Sequence, residues 1–306
     1  MWPIAPSSVG SRGFALILVL WALALLSTLA VALSTTGRSD VALTHNLVET
    51  SRAAHLADAG VYVGIRALLT PEDLPVVDDD GRRRLDIRID GVDVRFTLQN
   101  EGGKVDLNQA PPRLLRGALL AAGAAESDAS RLADAILDWR DRDDRRRDFG
   151  AEAAAYERLG QRNRPRNGPF EILSELRLVF GMTDDLYVRL MPFVTVDSRQ
   201  AGLDPGQASA ALLRAVPGLS AADVRRLLEI RGDAEPGAAL PAVGGGAGLL
   251  VPGHGRAHTV TADVVLPSGV AHRREAMVLI SGAADQPYRV RAWRSPAVDV
   301  ATLAAP

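Results

Sequence analysis

Residues 13–33 read Gly-Phe-Ala-Leu-Ile-Leu-Val-Leu-Trp-Ala-Leu-Ala-Leu-Leu-Ser-Thr-Leu-Ala-Val-Ala-Leu, and no charged residue falls between Arg12 and Arg38. A helix of about 20 apolar residues spans the hydrocarbon core of a bilayer. Ser27 and Thr28 alone interrupt the run, and both can bond back to their own helix. The run exceeds the apolar segment of an ordinary secretory signal, and no clear small-x-small cleavage site follows it. The residues therefore predict a segment that stays in the membrane.

The junction Arg12-Gly13-Phe14 resembles the class III leader of pilins and pseudopilins. That resemblance implies cleavage by a prepilin peptidase between Gly13 and Phe14 and N-methylation of Phe14. Residues 1–13 would be a leader, and residues 14–69 a transmembrane and pilin-like helix. The fifth residue after the junction is glutamate in most such proteins and is Leu18 here, as in the K-type minor pseudopilins of type II secretion systems.

Beyond the apolar run, Leu43, Leu47, Ala54, Ala57, Val61, Ile65 and Leu68 recur at helical spacing. One helix over residues 14–69 would measure roughly 84 Å at about 1.5 Å per residue. Gly37, Gly60 and Gly64 are the points at which it is expected to bend. An anchor followed by a separate amphipathic helix predicts the same pattern. Thr70-Pro71 closes it, because the residue before proline avoids the α region.

Leu85–Ile89 and Val92–Leu98 alternate around Asp90-Gly91, the pattern of a hairpin. Further alternating runs come only at 258–266, 272–280 and 288–293. The residues between are helical in pattern. Asn108 is expected to cap a helix carrying Leu114, Leu115, Leu119 and Leu120, and Ser127 to start a second. Residues 170–180 predict a third, and Thr183 opens a fourth. Leu107-Asn108-Gln109-Ala110 is echoed by Leu203-Asp204-Pro205-Gly206-Gln207-Ala208, and Ser220 with Asp223 forms a capping box. The expected fold is α+β: a long N-terminal helix, a small antiparallel sheet, and an inserted all-α domain of two helical-hairpin, SAM-like units. The boundaries are 70–106 for the first part of the sheet, 107–243 for the insertion (107–192 and 197–243), and 244–306 for a Gly244-Gly245-Gly246 linker and the last strands.

A net charge of −2 over 306 residues gives no basic excess suited to nucleic acid. The chain has no cysteine, so neither a disulfide nor a thiolate metal site is available. His45, His55, His254, His258 and His272 lack ligand spacing. No Gly-x-Ser-x-Gly, His-Glu-x-x-His or phosphate-binding loop occurs, so the reading is non-enzymatic.

The densest charged stretch covers residues 138–152: Asp138, Asp141, Asp143, Asp144, Asp148 and Glu152 among five arginines. Such carboxylates repel one another unless neutralised. The arginines can do that in a self-paired, solvated loop; a hard cation with oxygen ligands is the other solution. Asp141, Asp143 and Glu152 stand at the first, third and twelfth places of an EF-hand, but Arg146 replaces its glycine, so the loop is not one. The run Asp138-Trp139-Arg140-Asp141-x-Asp143, then Gly150-Ala151-Glu152, Tyr156, Asn167 and Glu175-Leu176, resembles the central signature of K-type pseudopilins, with Leu107-Asn108-Gln109-Ala110 opening their helical domain. By that resemblance calcium is the cofactor, held by Asp141, Asp143 and Glu152 with Asp138 and Asp148 behind them.

Val216-Pro217-Gly218-Leu219 and the arginines after it resemble a helix-hairpin-helix, whose amides grip phosphate. Asp223, Glu229 and Asp233 offset Arg225, Arg226 and Arg231, so no nucleic acid is expected. The family resemblance implies a minor pseudopilin at the tip of a type II secretion pseudopilus, in the inner membrane by a single pass with its bulk in the periplasm. Its partners would be the I- and J-type minor pseudopilins, the pseudopilus and the prepilin peptidase. A minor pilin of a type IV pilus and a membrane-anchored DNA-binding protein are the alternatives.

Overall fold

The computed structural model describes residues 12–298 except 71, 73, 159, 161–163, 234–245, 247 and 254, and leaves out the side chains of 12, 13 and 32–42. Residues 1–11 of the expected leader, Pro71, Gly244, Gly245 and His254 thus lie outside the described residues. The chain divides into two compact units, Met1–Arg52 and Ala53–Pro306.

Helix α1, Arg12–Leu69, runs through the boundary between them. In the first unit Phe14–Val31 has a mean hydropathy of 2.6 and buries none of its residues, which leaves an apolar surface long enough to cross a bilayer. Thr28 satisfies its hydroxyl within the helix by donating to the Leu25 carbonyl at 2.8 Å.

In the second unit α1 contributes Ala53, Leu56, Ala57, Val61 and Ile65 to a core shared with a five-stranded antiparallel sheet. The strands are β1 (Arg82–Ile89), β2 (Val92–Asn100), β5 (Ala257–Val265), β6 (Ala271–Ile280) and β7 (Tyr288–Arg294), in that spatial order. Every second residue of β2 points inward: Val92, Val94, Phe96 and Leu98 are buried. Asp90 and Gly91 both take positive φ (50° and 75°), as a two-residue hairpin turn requires. Gly60 and Gly64 lie within the continuous helix α1. They admit the sheet: a Cβ on Gly64 would lie 2.6 Å from Val260 Cγ1, and one on Gly60 2.7 Å from Val94 Cγ1.

Between β2 and β5 the chain leaves the sheet to build a helical insertion with its own core. Its elements are β3 (Val105–Asp106), α2 (Pro112–Ala121), α3 (Glu126–Arg140), α4 (Ala153–Arg158), α5 (Asp184–Leu190), β4 (Val194–Thr195), α6 (Ala210–Arg214) and α7 (Ala221–Asp233). The two short strands pair in parallel and close its first half. Three sequence expectations are corrected here. Asn108 caps no helix: it accepts from Phe170 N and donates to Phe170 O, while Pro111-Pro112 open α2 without a side-chain cap. Helix α3 begins at Glu126 instead of Ser127. Residues 170–180 make only a 3₁₀ turn, Leu173–Leu178, because the Glu175 carboxylate accepts from the amides of Glu171 and Ile172 and closes the segment early. Thr183 and the Ser220–Asp223 box cap α5 and α7 as expected.

The internal repeat is real, in the register that sets Gln109-Ala110 against Gln207-Ala208, and it extends back before Leu107. Asp106 and Asp204 are the equivalent residues. Each accepts from the amide two residues on (Asn108 at 2.8 Å, Gly206 at 2.9 Å). Each carbonyl accepts from the amide four residues on, Ala110 and Ala208. Each is buried, and each stands six residues before its helix, α2 or α6. The preceding residues, Val105 and Leu203, both make parallel backbone pairs, with Val194 and Leu250.

Candidate metal centre

Helix α3 ends inside the charged stretch, and its last turn sets the site. Asp138 is completely buried there. Arg140 points the other way and donates to the carbonyls of Leu107 and Ala110 (2.8 Å for the latter), so the helix end is tied to the start of the insertion. The chain then loops back until Arg147 reaches Asp138. Its Nη1 donates to Asp138 Oδ1 at 2.6 Å and also to Asp141 Oδ2, while its backbone amide donates to Asp138. Gly150 passes so close to Asp138 that a Cβ at this position would overlap the carboxylate.

Glu152 follows, 7% exposed, and neither of its carboxylate oxygens has a hydrogen-bond partner. Asp141 Oδ1 and Asn167 Oδ1 are buried without partners as well. Burial first, then the charges of Asp138, Asp141, Asp144 and Asp143, push the Glu152 carboxyl up to about 7. Burial also raises Asp138, against the pull of Arg147. Asp143 accepts from the Arg145 amide at 2.9 Å, and Asp144 from Asn167 Nδ2 at 2.9 Å.

Behind the carboxylates lies an aromatic wall. Trp139 stacks on Phe170 (6.0 Å between centroids) and leans on Tyr156, whose ring meets Phe180 edge-on at 5.6 Å. The Tyr156 hydroxyl accepts from Phe180 N at 2.8 Å. Burial, with Glu152 and Asp138 nearby, pushes its phenol up to about 12. The site is thus a patch of negative charge with a dry side.

Glu152 feels the charges of Asp138, Asp141, Asp144 and Asp143; Asp138 and Glu152 are buried, whereas Asp143, Asp144 and Asp148 are all exposed on the loop. Two contributors are added to the sequence-based set, Asp144 and the carbonyl oxygen of Asn167. Asn167 has φ +49°, a left-handed conformation that asparagine readily adopts. As the side chains lie, no three acidic residues among those described are arranged to ligate a metal, and Arg147 supplies the cation between Asp138 and Asp141. The unpartnered oxygens, all carboxylate or amide, nonetheless fit a hard ion that takes oxygen ligands only.

The hairpin near Gly218 is less available. Arg231 is buried and donates to Ala208 O and Asp78 O, and Asp223 occupies the start of α7 by accepting from Ser220.

Residues 95–198 match the family model for the first domain of type II secretion system (T2SS) protein K. Type II secretion system protein K of Pseudomonas aeruginosa PAO1 is 29% identical over 157 residues, 51% of this chain and 46% of that protein. Protein K of Pectobacterium carotovorum subsp. carotovorum is 36% identical over 84 residues, 28% of this chain and 26% of that protein. The chain thus matches less than half the length of either relative. The fold is similar to a chain of the GspK–GspI–GspJ complex from the type 2 secretion system of enterotoxigenic Escherichia coli: TM-score 0.56 and 15% identity, over 83% of this chain and 99% of that one. Residues 95–198 are therefore similar to the first domain of type II secretion system protein K.

Proposed function

We propose that the chain is a non-enzymatic minor pseudopilin that takes part in assembling a type II secretion pseudopilus. The match of residues 95–198 to the protein K family model carries this reading, supported by the apolar surface of Phe14–Val31, which suits a single membrane anchor. Under it, the prepilin peptidase cuts between Gly13 and Phe14 and methylates Phe14, the chain is held in the inner membrane, and the bulk lies in the periplasm. It sits at the tip of the pseudopilus with I- and J-type minor pseudopilins and serves export across the outer membrane. Leu18 fits a tip place: a subunit with no neighbour above it has no amino terminus to neutralise, and an unpaired carboxylate there would be costly. Calcium is the proposed cofactor, held by oxygens of Asp141, Asp143 and Glu152 with Asp138, and with Asp144 and Asn167 as neighbours; Asp148 is the outermost candidate. The ion would neutralise the buried carboxylates and fix the loop.

The test is co-purification of the chain with the two other minor pseudopilins from the same membrane, with mass spectrometry of its N-terminus. A ternary assembly and a methylated Phe14 are expected. A chain retaining Met1, and recovered without the other two, would overturn the reading.

A further inference from the structure

Strand β7 ends the sheet, and among the described residues no backbone group pairs with its outer edge. A register shift between Met277 and Val278 gives this edge its character. Val290 pairs with the buried Val278 and Trp293 with the buried Ala276, so both face the side on which α1 lies. Both keep exposed surface, Val290 36% and Trp293 37%. Tyr62 of α1, itself exposed, packs its ring tilted against Trp293, 5.6 Å between centroids. Beside this apolar strip the strand sequence Tyr-Arg-Val-Arg-Ala-Trp-Arg carries three arginines and no acid. Arg289 has no ion pair among the described residues. Arg294 reaches Glu275 only at 3.7 Å, and Arg291 pairs with Asp197 at 2.7 Å.

The opposite edge differs. β1 carries an acid of its own, Asp86, paired with Arg95; Arg84 pairs with Asp78 and Asp80 and Arg88 with Asp93, while Arg82 and Arg83 make no ion pair among the described residues. Charged residues on a free edge discourage indiscriminate pairing. Arg289 is unpaired among the described residues and Arg291 and Arg294 keep exposed surface beside their ion pairs, so β7 carries an excess of positive charge that admits a strand of the opposite sign and repels its own kind. A second copy of β7 would set arginines against arginines.

We propose that β7 is a docking edge for an extended, acidic segment of a partner protein. The segment adds a sixth strand, hydrogen-bonding to the free edge. Its apolar residues cover Val290, Trp293 and Tyr62, and its carboxylates meet Arg289, Arg291 and Arg294. The inference depends neither on the ion site nor on the secretion reading.

The test uses the full chain in detergent micelles and follows amide hydrogen exchange of residues 288–294. The probes are capped octapeptides of alternating Glu and Val, alternating Lys and Val, and the Glu–Val peptide N-methylated at alternate residues. The Glu–Val peptide should slow exchange across β7 by roughly tenfold or more, the equivalent of about 1.4 kcal/mol, and the other two should not. Replacing Arg289, Arg291 and Arg294 together by Glu should transfer the effect to the Lys–Val peptide. If that variant does not fold, Arg289→Glu alone should weaken the Glu–Val effect, since it breaks no described ion pair. Equal protection by both charged peptides, protection by neither, or protection that grows with protein concentration in the absence of peptide overturns the proposal.

Discussion

A carboxylate shut away from water with no donor is the least comfortable group a fold can hold, and Glu152 is such a group. Its folded-state pKa is raised to about 7 from 4.5. The folded state therefore holds the proton more tightly than the unfolded chain, and stability falls as pH rises through the window from about 4.5 to about 7. In chelator, the melting temperature of the chain should drop across that window. Glu152→Gln should flatten this dependence and melt higher than the parent at pH 8. If the two proteins keep parallel pH profiles, Glu152 is solvated. Gly150 gives a second test. Its Cβ position is occupied by the Asp138 carboxylate, and backbone on both sides is fixed, so Gly150→Ala must displace a buried charge that Arg147 holds. Overpacking costs about 1–3 kcal/mol, and thermal unfolding should show a loss of that order. An unchanged melting temperature would mean that the loop gives way freely.

Helix and strand positions were readable from sequence wherever the signal was local. The Asp90-Gly91 hairpin, the Thr183 cap and the Ser220–Asp223 box each rest on neighbours a few residues apart, and the structure keeps all three. What escaped was set at a distance. The parallel pair β3–β4 joins residues about 90 positions apart, and two-residue strands carry no periodicity. Asn108 bonds to Phe170 across 62 positions, so its helix-capping chemistry was spent elsewhere. In the ion site the carboxylate loop was visible as a density of charge. Asn167 was visible only as a motif residue, since no pattern indicates that it meets Asp144. The role of Gly60 and Gly64 was hidden for the same reason: a glycine in a helix reads as a weak point until the sheet lying on it is known. Each should resist replacement even though alanine favours helix by about 1 kcal/mol. The clash of Gly64→Ala with Val260 should outweigh that gain, by an overall 1–2 kcal/mol or so, and Gly64→Ala with Val260→Ala should recover part of it. A Gly64→Ala protein more stable than the parent would show that the contact relaxes.

Within the second unit the sheet and the helical insertion have separate cores, yet the chain from Ala53 to Pro306 is one compact unit. The links between the two are specific. Arg231 of α7 donates to Asp78 O at the entrance to β1, and Arg83 of β1 donates to Gln207 at 3.1 Å. The buried Glu101 accepts from Lys104 at 3.0 Å and from Thr259 of β5 at 2.7 Å. Removing one partner of such a link leaves a buried donor or acceptor unsatisfied, at a cost of about 1–3 kcal/mol. The ion site is connected to the same base through Arg140. Calcium bound only by the folded state stabilises it by RT ln(1 + [L]/Kd), about 2.7 kcal/mol at 100-fold saturation. For a unit of this size each kcal/mol raises the melting temperature by about 2–4 °C. Calcium should therefore raise it by several degrees, with magnesium less effective because it gives up its water reluctantly. Asp141→Ala or Glu152→Ala should remove most of the shift. Because the links join the cores, the whole unit should move. Trp139 in the insertion and Trp293 in the sheet give separate fluorescence reports once each is isolated by replacing the other tryptophans with phenylalanine. Both should unfold in one transition, displaced equally by calcium. A shift seen at Trp139 alone would mean that the insertion unfolds independently. A shift at neither, after thorough chelation, would leave Arg147 as the only cation the loop requires.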